Sequence, residues 1–253
     1  MIRVVINGIL GRMGMELTRS IMQEEDLFLV GGVDTLETFV NDEIMVTTNP
    51  EELMYDIDVV VDFSSGKGTS NIAKVCREFK VPLVTGTTGL TKADQRRVIE
   101  LSKVAPVVQA SNFSIGINLL LDLIQKTASV LKNNFDIEIV ELHHRYKKDA
   151  PSGTALTLAS TLNQILNNSD ESCIQFGRKG SKLSRGNEIV IHSLRGGGII
   201  GEHQVHFLCK NEHLIFSHHS LSRKVFVDGA IRAIEWVILQ KPGLYTMLDV
   251  LKA

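Results

Sequence analysis

Residues 141–155 read ELHHRYKKDAPSGTA, with two histidines, an arginine and two lysines within positions 143–148. Histidine and lysine can pass protons in catalysis, and His143 and Lys147 are the candidate donors. Pro151 suits the first turn of a helix. The amides of Ser152, Gly153 and Thr154 then open that helix, where main-chain N–H groups form an anion site. A carboxylate fits there, with His144 or a lysine on its other side. A solvated basic loop ahead of a helix has the same composition, and spacing alone leaves both readings open. In a strand over 136–144, Ile137, Ile139, Glu141 and His143 share one face, and Glu138, Val140, Leu142 and His144 the other. Two histidines on opposite faces do not readily chelate one metal, and no third ligand has suitable spacing, so no metal is expected.

The elements that must position these residues can be followed along the chain. Residues 2–7, IRVVIN, are β-branched and apolar, as in a buried parallel strand. GILGRMG follows, with Gly8, Gly11 and Gly14 spaced as G-x-x-G-x-x-G. A helical pattern then leads to LFLVGGVD, a second strand ending at Asp34. Strand, glycine turn, helix, strand and acid is the order a dinucleotide site requires. The glycines admit the pyrophosphate and the acid accepts ribose hydroxyls. Further strands within 57–65, 81–89 and 105–114 alternate with helices over 69–80 and 92–103. This predicts an α/β fold with a doubly wound parallel sheet, whose ligands sit beyond the strands' carboxyl ends. DFSS, TGTTG and ASNFS all fall there.

After Phe113 the alternation breaks. A long helix over 116–134, the strand 136–144, a helix over 153–167 and three turn-joined strands within 187–223 suggest a second, α+β layer. A helix over 224–239 and a terminal helix in GLYTMLDVLKA complete the pattern. With 253 residues there is material for one large or two modest domains, and a net charge of −2 gives no general pull towards nucleic acid or anionic membrane. Cys76, Cys173 and Cys209 are far apart and lack metal or redox spacing. No apolar run approaches the roughly 20 residues of a membrane span, and no charged leader precedes Ile2. A cytoplasmic protein is expected.

Taken together these residues resemble the dihydrodipicolinate reductase family. GILGRMG is similar to its G-x-x-G-R-M-G turn, while GTTG (86–89) and SNFS (111–114) match its cofactor-side loops. ELHHRYKKDAPSGTA matches its most specific motif, E-x-H-H-x-x-K-x-D-A-P-S-G-T-A. GGGIIGEHQVHF (196–207) and SRKVFVDGAIRA (222–233) extend the likeness over nearly the whole chain. The resemblance implies a Rossmann-type dinucleotide-binding domain over 1–114 and a substrate-binding and oligomerisation domain over 115–222. Residues 223–253 would pack back on the first domain. It implies a homotetramer assembled through the second domain's sheet, and reduction of a small dicarboxylate in lysine and diaminopimelate biosynthesis.

Carried across by position, His143 is the proton donor or acceptor and Lys147 a second donor. His144, Ser152, Gly153 and Thr154 meet the substrate. Gly8, Ile9, Leu10, Gly11, Arg12, Met13, Asp34, Gly86, Thr87, Thr88, Ser111, Asn112, Phe113 and Ser114 meet the cofactor. An acid at position 34 favours the free ribose of NADH over the 2′-phosphate of NADPH. Its neighbours Thr35, Leu36 and Glu37 supply no compensating cation, although Arg12 could reach a phosphate. NADH is therefore expected to be preferred and NADPH accepted. Ile9 and Leu10 are bulkier than many family members carry in this turn, and the stretch after Asp34 reads as a trimmed loop. Another nicotinamide-linked reductase, such as an amino-acid dehydrogenase, would share the cofactor site without requiring His-His-x-x-Lys before Ser-Gly-Thr. A non-catalytic redox sensor would need a partner-docking or DNA-binding module, and no such segment is evident.

Overall fold

The computed structural model describes residues 1–166, 173–180 and 184–252. Two units emerge: Met1–Ile115 with Lys224–Ala253, and Gly116–Arg223. The chain enters the first unit through β1 (Ile2–Asn7), α1 (Arg12–Ile21), β2 (Leu27–Val33), β3 (Thr38–Val40) and β4 (Ile44–Thr47). It continues through β5 (Val59–Asp62), α2 (Gly66–Phe79), β6 (Leu83–Thr85), α3 (Lys92–Ser102) and β7 (Pro106–Gln109). The second unit holds α4 (Ile115–Leu131), β8 (Asp136–His143), α5 (Gly153–Ile165), β9 (Ile174–Phe176), β10 (Ile189–Arg195), β11 (Gly201–Leu208) and β12 (His213–Ser220). The chain then returns to the first unit as α6 (Lys224–Val237), β13 (Gly243–Tyr245) and α7 (Met247–Leu251).

The first sheet runs β13-β7-β6-β5-β1-β2-β4-β3, parallel throughout except for β3 against β4. Its strands are apolar on both faces because helices cover both. Val4, Ile6, Val59 and Val61 face Leu17 and Ile21 of α1 and Val227, Ala230 and Ile234 of α6. Val5, Val60, Leu83 and Val107 face Ile72 and Cys76 of α2 and Val98 and Leu101 of α3. Alternate residues of one strand thus serve two cores.

The second sheet runs β12-β11-β8-β10-β9, with β8, β9 and β10 parallel and β11 antiparallel to both neighbours. Ile137 and Ile139 of β8, Ile191, Val205 and Phe207 pack with Ile117 and Ile124 of α4 and Leu158 and Leu162 of α5.

Four short strands depart from the sequence reading. β3 and β4 form a hairpin where a trimmed loop was expected, β9 was not anticipated, and β13 occupies residues read as the start of a terminal helix. The three strands expected within 187–223 exist, but β10 and β11 do not pair, because β8 lies between them. The expected helix end at residue 167 lies outside the described residues.

Candidate active site

In the first unit, Gly8 sits just past β1 at φ +83°, a left-handed conformation that favours glycine. A Cβ on Gly14 would fall 2.2 Å from the Gly8 carbonyl oxygen, so α1 approaches the turn as only glycine allows. Gly8, Leu10 and Gly11 line a cleft of about 900 Å³, together with Asp34, Thr35, Leu36, Thr48, Ser64 and Lys67. The volume suits a nucleotide-sized ligand. Asp34 Oδ2 accepts from the Leu10 amide at 2.9 Å and Oδ1 from the Thr35 amide at 2.8 Å. The carboxylate is thereby fixed against the glycine turn while lone pairs remain for a ribose. Arg12 is exposed as the first residue of α1. Met13 is half-buried, and Ile9 is buried with its side chain in the core, leaving only its main chain for a ligand.

Loops after β5, β6 and β7 lie at the same sheet edge, since these are neighbouring parallel strands. They hold Phe63–Ser65, Gly86–Thr88 and Ser111–Ser114. Asp62, fully buried, gathers the first two. Its Oδ1 accepts from Asn7 Nδ2 at 2.7 Å, the Ser64 amide at 3.2 Å and Ser64 Oγ at 2.5 Å. Its Oδ2 accepts from Thr69 at 2.5 Å, Thr85 at 2.7 Å and Thr87 at 3.0 Å. Thr87 Oγ1 also accepts from the Ser64 amide at 3.0 Å, and Phe63 meets Phe113 edge to face at 5.4 Å. Asn112 Oδ1 accepts from the Ser114 amide at 2.8 Å. Phe113 and Ser114 are buried, Asn112 half-buried and Ser111 exposed. The sequence reading missed Asp62 as a hub and Lys67 as a cation in the cleft. Serines ahead of α2 were the available signal, because Ser65 caps that helix.

In the second unit β8 alternates as expected, with Ile137, Ile139, Glu141 and His143 buried. The β-sheet register sets Ser193 of β10 and His203 of β11 on either side of Glu141, and Arg195 beside His143. Glu141 is fully buried. Arg195 grips it bidentately, NH1 to Oε2 at 2.9 Å and NH2 to Oε1 at 2.7 Å, and His143 Nδ1 lies 2.5 Å from Oε2. Burial pushes the Glu141 carboxyl up, but hydrogen bonds from His143, Arg195 and Ser193 outweigh it and bring it down to about 2. His203 stacks edge to face on His143 at 5.2 Å, with Nε2 3.2 Å from Ser152 Oγ. Burial, and then the neighbouring His143, push His203 down to about 3, so it is neutral at ordinary pH.

Two features of the helix start differ from the sequence reading. Pro151 precedes the cap rather than occupying the first turn, and its peptide bond is cis. Ser152 is the N-cap: its amide donates to Glu141 Oε1 at 3.3 Å and its Oγ accepts from the Ala155 amide at 3.2 Å. Ser152 is therefore turned inward, and Gly153 and Thr154 form the first residues of α5. A Cβ on Gly153 would meet nothing within 4 Å. Lys147 Nζ pairs with Asp149 at 2.9 Å, and His144 is half-buried near Tyr146. One short segment thus carries the expected His143, His144, Lys147, Ser152, Gly153 and Thr154. Arg195 and His203, absent from the sequence reading, come from flanking strands. Among the described residues no cluster could hold a metal ion.

Two family models match the chain: "Dihydrodipicolinate reductase, N-terminus" over residues 2–113 and "Dihydrodipicolinate reductase, C-terminus" over 116–251. A 4-hydroxy-tetrahydrodipicolinate reductase of Caldanaerobacter subterraneus subsp. tengcongensis is 43% identical over 253 residues, covering 100% of this chain and 99% of that one. The Aquifex aeolicus enzyme of the same name is 42% identical over 265 residues, covering 99% and 98%. A solved structure of dipicolinate-bound dihydrodipicolinate reductase from Paenisporosarcina sp. TG-14 superposes with a TM-score of 0.81 at 28% identity, covering 98% of each chain. With likeness of this degree along its whole length, the chain belongs to the dihydrodipicolinate reductase family.

Proposed function

We propose that this protein is a 4-hydroxy-tetrahydrodipicolinate reductase, an NAD(P)H-dependent oxidoreductase of lysine and diaminopimelate biosynthesis. It converts a cyclic dicarboxylate to tetrahydrodipicolinate with loss of water. The observation that carries the reading is His143, anchored through Nδ1 on the segment that also bears Lys147 and the α5 start. A bound nicotinamide cofactor supplies the hydride. The chain's own residues do the rest. The glycine turn, Asp34 and the loops at Gly86–Thr88 and Ser111–Ser114 hold that cofactor. The main chain of Gly153 and Thr154, with His144, receives a substrate carboxylate at the positive end of the helix dipole. Ser152 acts by fixing that helix start. His143 and Lys147 hold the protons for the electron-rich product of reduction.

NADH is the preferred cofactor because Asp34 would repel a 2′-phosphate, while Arg12 and Lys67 keep NADPH usable. The chain works as a homotetramer formed through the sheet of the second unit. Leu194 on β10 is 47% exposed in the single chain, and Val140 and Leu142 are only half-buried, which suits a covered face. Cys76, Cys173 and Cys209 are free thiols, as the cytoplasm would keep them. Among the described residues no helix is long and apolar enough to cross a membrane.

Coupling the purified protein to dihydrodipicolinate synthase and following reduced-nicotinamide absorbance tests the activity. Turnover should fall by roughly 10²–10⁴-fold in His143→Ala and in Lys147→Ala, with NADH binding kept; wild-type turnover in either removes that residue's role. In the same assay NADH should exceed NADPH in kcat/KM by about tenfold, ~1.4 kcal/mol of transition-state binding. Equal values would mean that Arg12 and Lys67 outweigh Asp34.

A further inference from the structure

We propose that Glu141 and Arg195 form a buried positioning pair that fixes the ring and tautomer of His143 and ties it to the start of α5. The inference rests on His143 being the proton donor. Nδ1 of His143 is committed to Glu141 Oε2 at 2.5 Å. Among the described residues Nε2 makes no hydrogen bond. Nε2 borders Gly201, where an added Cβ would come within 3.1 Å of it. A glycine there leaves room at the nitrogen that must work.

The chemistry follows from the tautomer. With a carboxylate on Nδ1, the imidazolium has one N–H held by Glu141 and the other at Nε2. The Nε2–H bond breaks as the proton bonds to the electron-rich product, and its electron pair stays on Nε2. The imidazole left behind carries its hydrogen on Nδ1, the form that Glu141 accepts from, and solvent reprotonates Nε2. Without Glu141 the ring could rest as the other tautomer or turn about χ2, with Nε2 misplaced.

A carboxylate with no accessible surface could instead take up the proton, and Arg195 prevents this. Its guanidinium spans both carboxylate oxygens, in the fork geometry that arginine alone among the basic residues provides. The same pair reaches the substrate loop. Glu141 Oε1 accepts from the Ser152 amide at 3.3 Å, and Arg195 NH2 donates to the Asp149 carbonyl at 2.7 Å. One carboxylate therefore sets both the donor and the anion-binding turn. The charged and titratable groups around it are His143 on its own strand, Arg195 on β10, His203 on β11, and Lys147 and Asp149 on the loop.

Glu141→Gln keeps the shape and removes the charge. Turnover at neutral pH should drop by roughly 10–100-fold, part of what a positioned acid supplies, with the NADH dissociation constant unchanged. In nitrogen-15 NMR the fixed Nδ1–H tautomer of His143 should give way to a mixture of tautomers, since the carboxylate that holds Nδ1–H is gone. Glu141→Asp should restore the Nδ1–H tautomer while remaining slow, because the carboxylate returns at a greater distance. Unchanged turnover and tautomer in Glu141→Gln, alongside a crippled His143→Ala, would overturn the pair and leave the donor standing. An active His143→Ala would instead remove the donor reading on which the pair depends. If Glu141→Gln does not fold, Arg195→Lys, which keeps the cation and loses the fork, is read the same way. Reduced kcat with unaltered NADH binding supports the pair, and wild-type kcat overturns it.

Discussion

Gly153 opens α5, and a side chain there would extend into open space. Alanine would also suit a helix better by roughly 1 kcal/mol. The missing side chain is therefore no requirement of the protein's own packing, and the proposed close approach of a substrate carboxylate would account for it. Gly153→Val should leave the thermal midpoint within about 2 °C and abolish binding of pyridine-2,6-dicarboxylate in calorimetry. Retained affinity would mean that the carboxylate lies elsewhere. At this scale much of the site was legible, because strand alternation alone put Glu141 and His143 on one face. Arg195 and His203 were not legible. Their contact with Glu141 depends on β10 and β11 flanking β8, and no local pattern encodes that pairing. Nor does spacing reveal that the Ser152 amide is spent on Glu141.

Among the elements, the carboxyl end of β5 controls the edge where the loops proposed to hold the cofactor meet. Asp62 accepts from donors on β1, β6 and α2 and from the loops bearing Ser64 and Thr87. In sequence it is only a polar residue ending an apolar run. Asp62→Ala would leave the fully buried Thr69 and Thr85 hydroxyls without their acceptor and take one from Asn7, so a loss of roughly 2–4 kcal/mol is expected in urea unfolding. NADH affinity should weaken as Ser64 and Thr87 lose their anchor. Thr69→Val removes one donor and one bond, and should cost only about 1 kcal/mol. Equal losses in the two variants would show that Asp62 does not unify the network. The long helices and buried strands were readable from their periods. β3, β9 and β13 span three residues each, too few to establish a period, and exist through pairing with a longer neighbour.

For the whole molecule, the division into two units followed from where strand–helix alternation stops, while the strand orders did not. The first unit is discontinuous in sequence. Val227, Ala230, Ile234 and Val237 of α6 complete one of its two cores, and β13 extends its sheet beside β7. A chain ending at residue 223 should thus expose one sheet face, precipitate or bind hydrophobic dyes, and fail to quench with NADH. A soluble, NADH-binding 1–223 fragment would show that α6 is dispensable.

The same interruption bears on how the protein is made. Domains ordinarily complete themselves in the order they are synthesised, amino-terminal first. Here the inserted unit has all of its sequence outside the ribosome before the first unit has received its last helices. The nascent dinucleotide-binding sheet must wait with an apolar face uncovered while its neighbour folds. The interval in which it is exposed to chaperones and to aggregation is set by the time needed to translate an entire second domain.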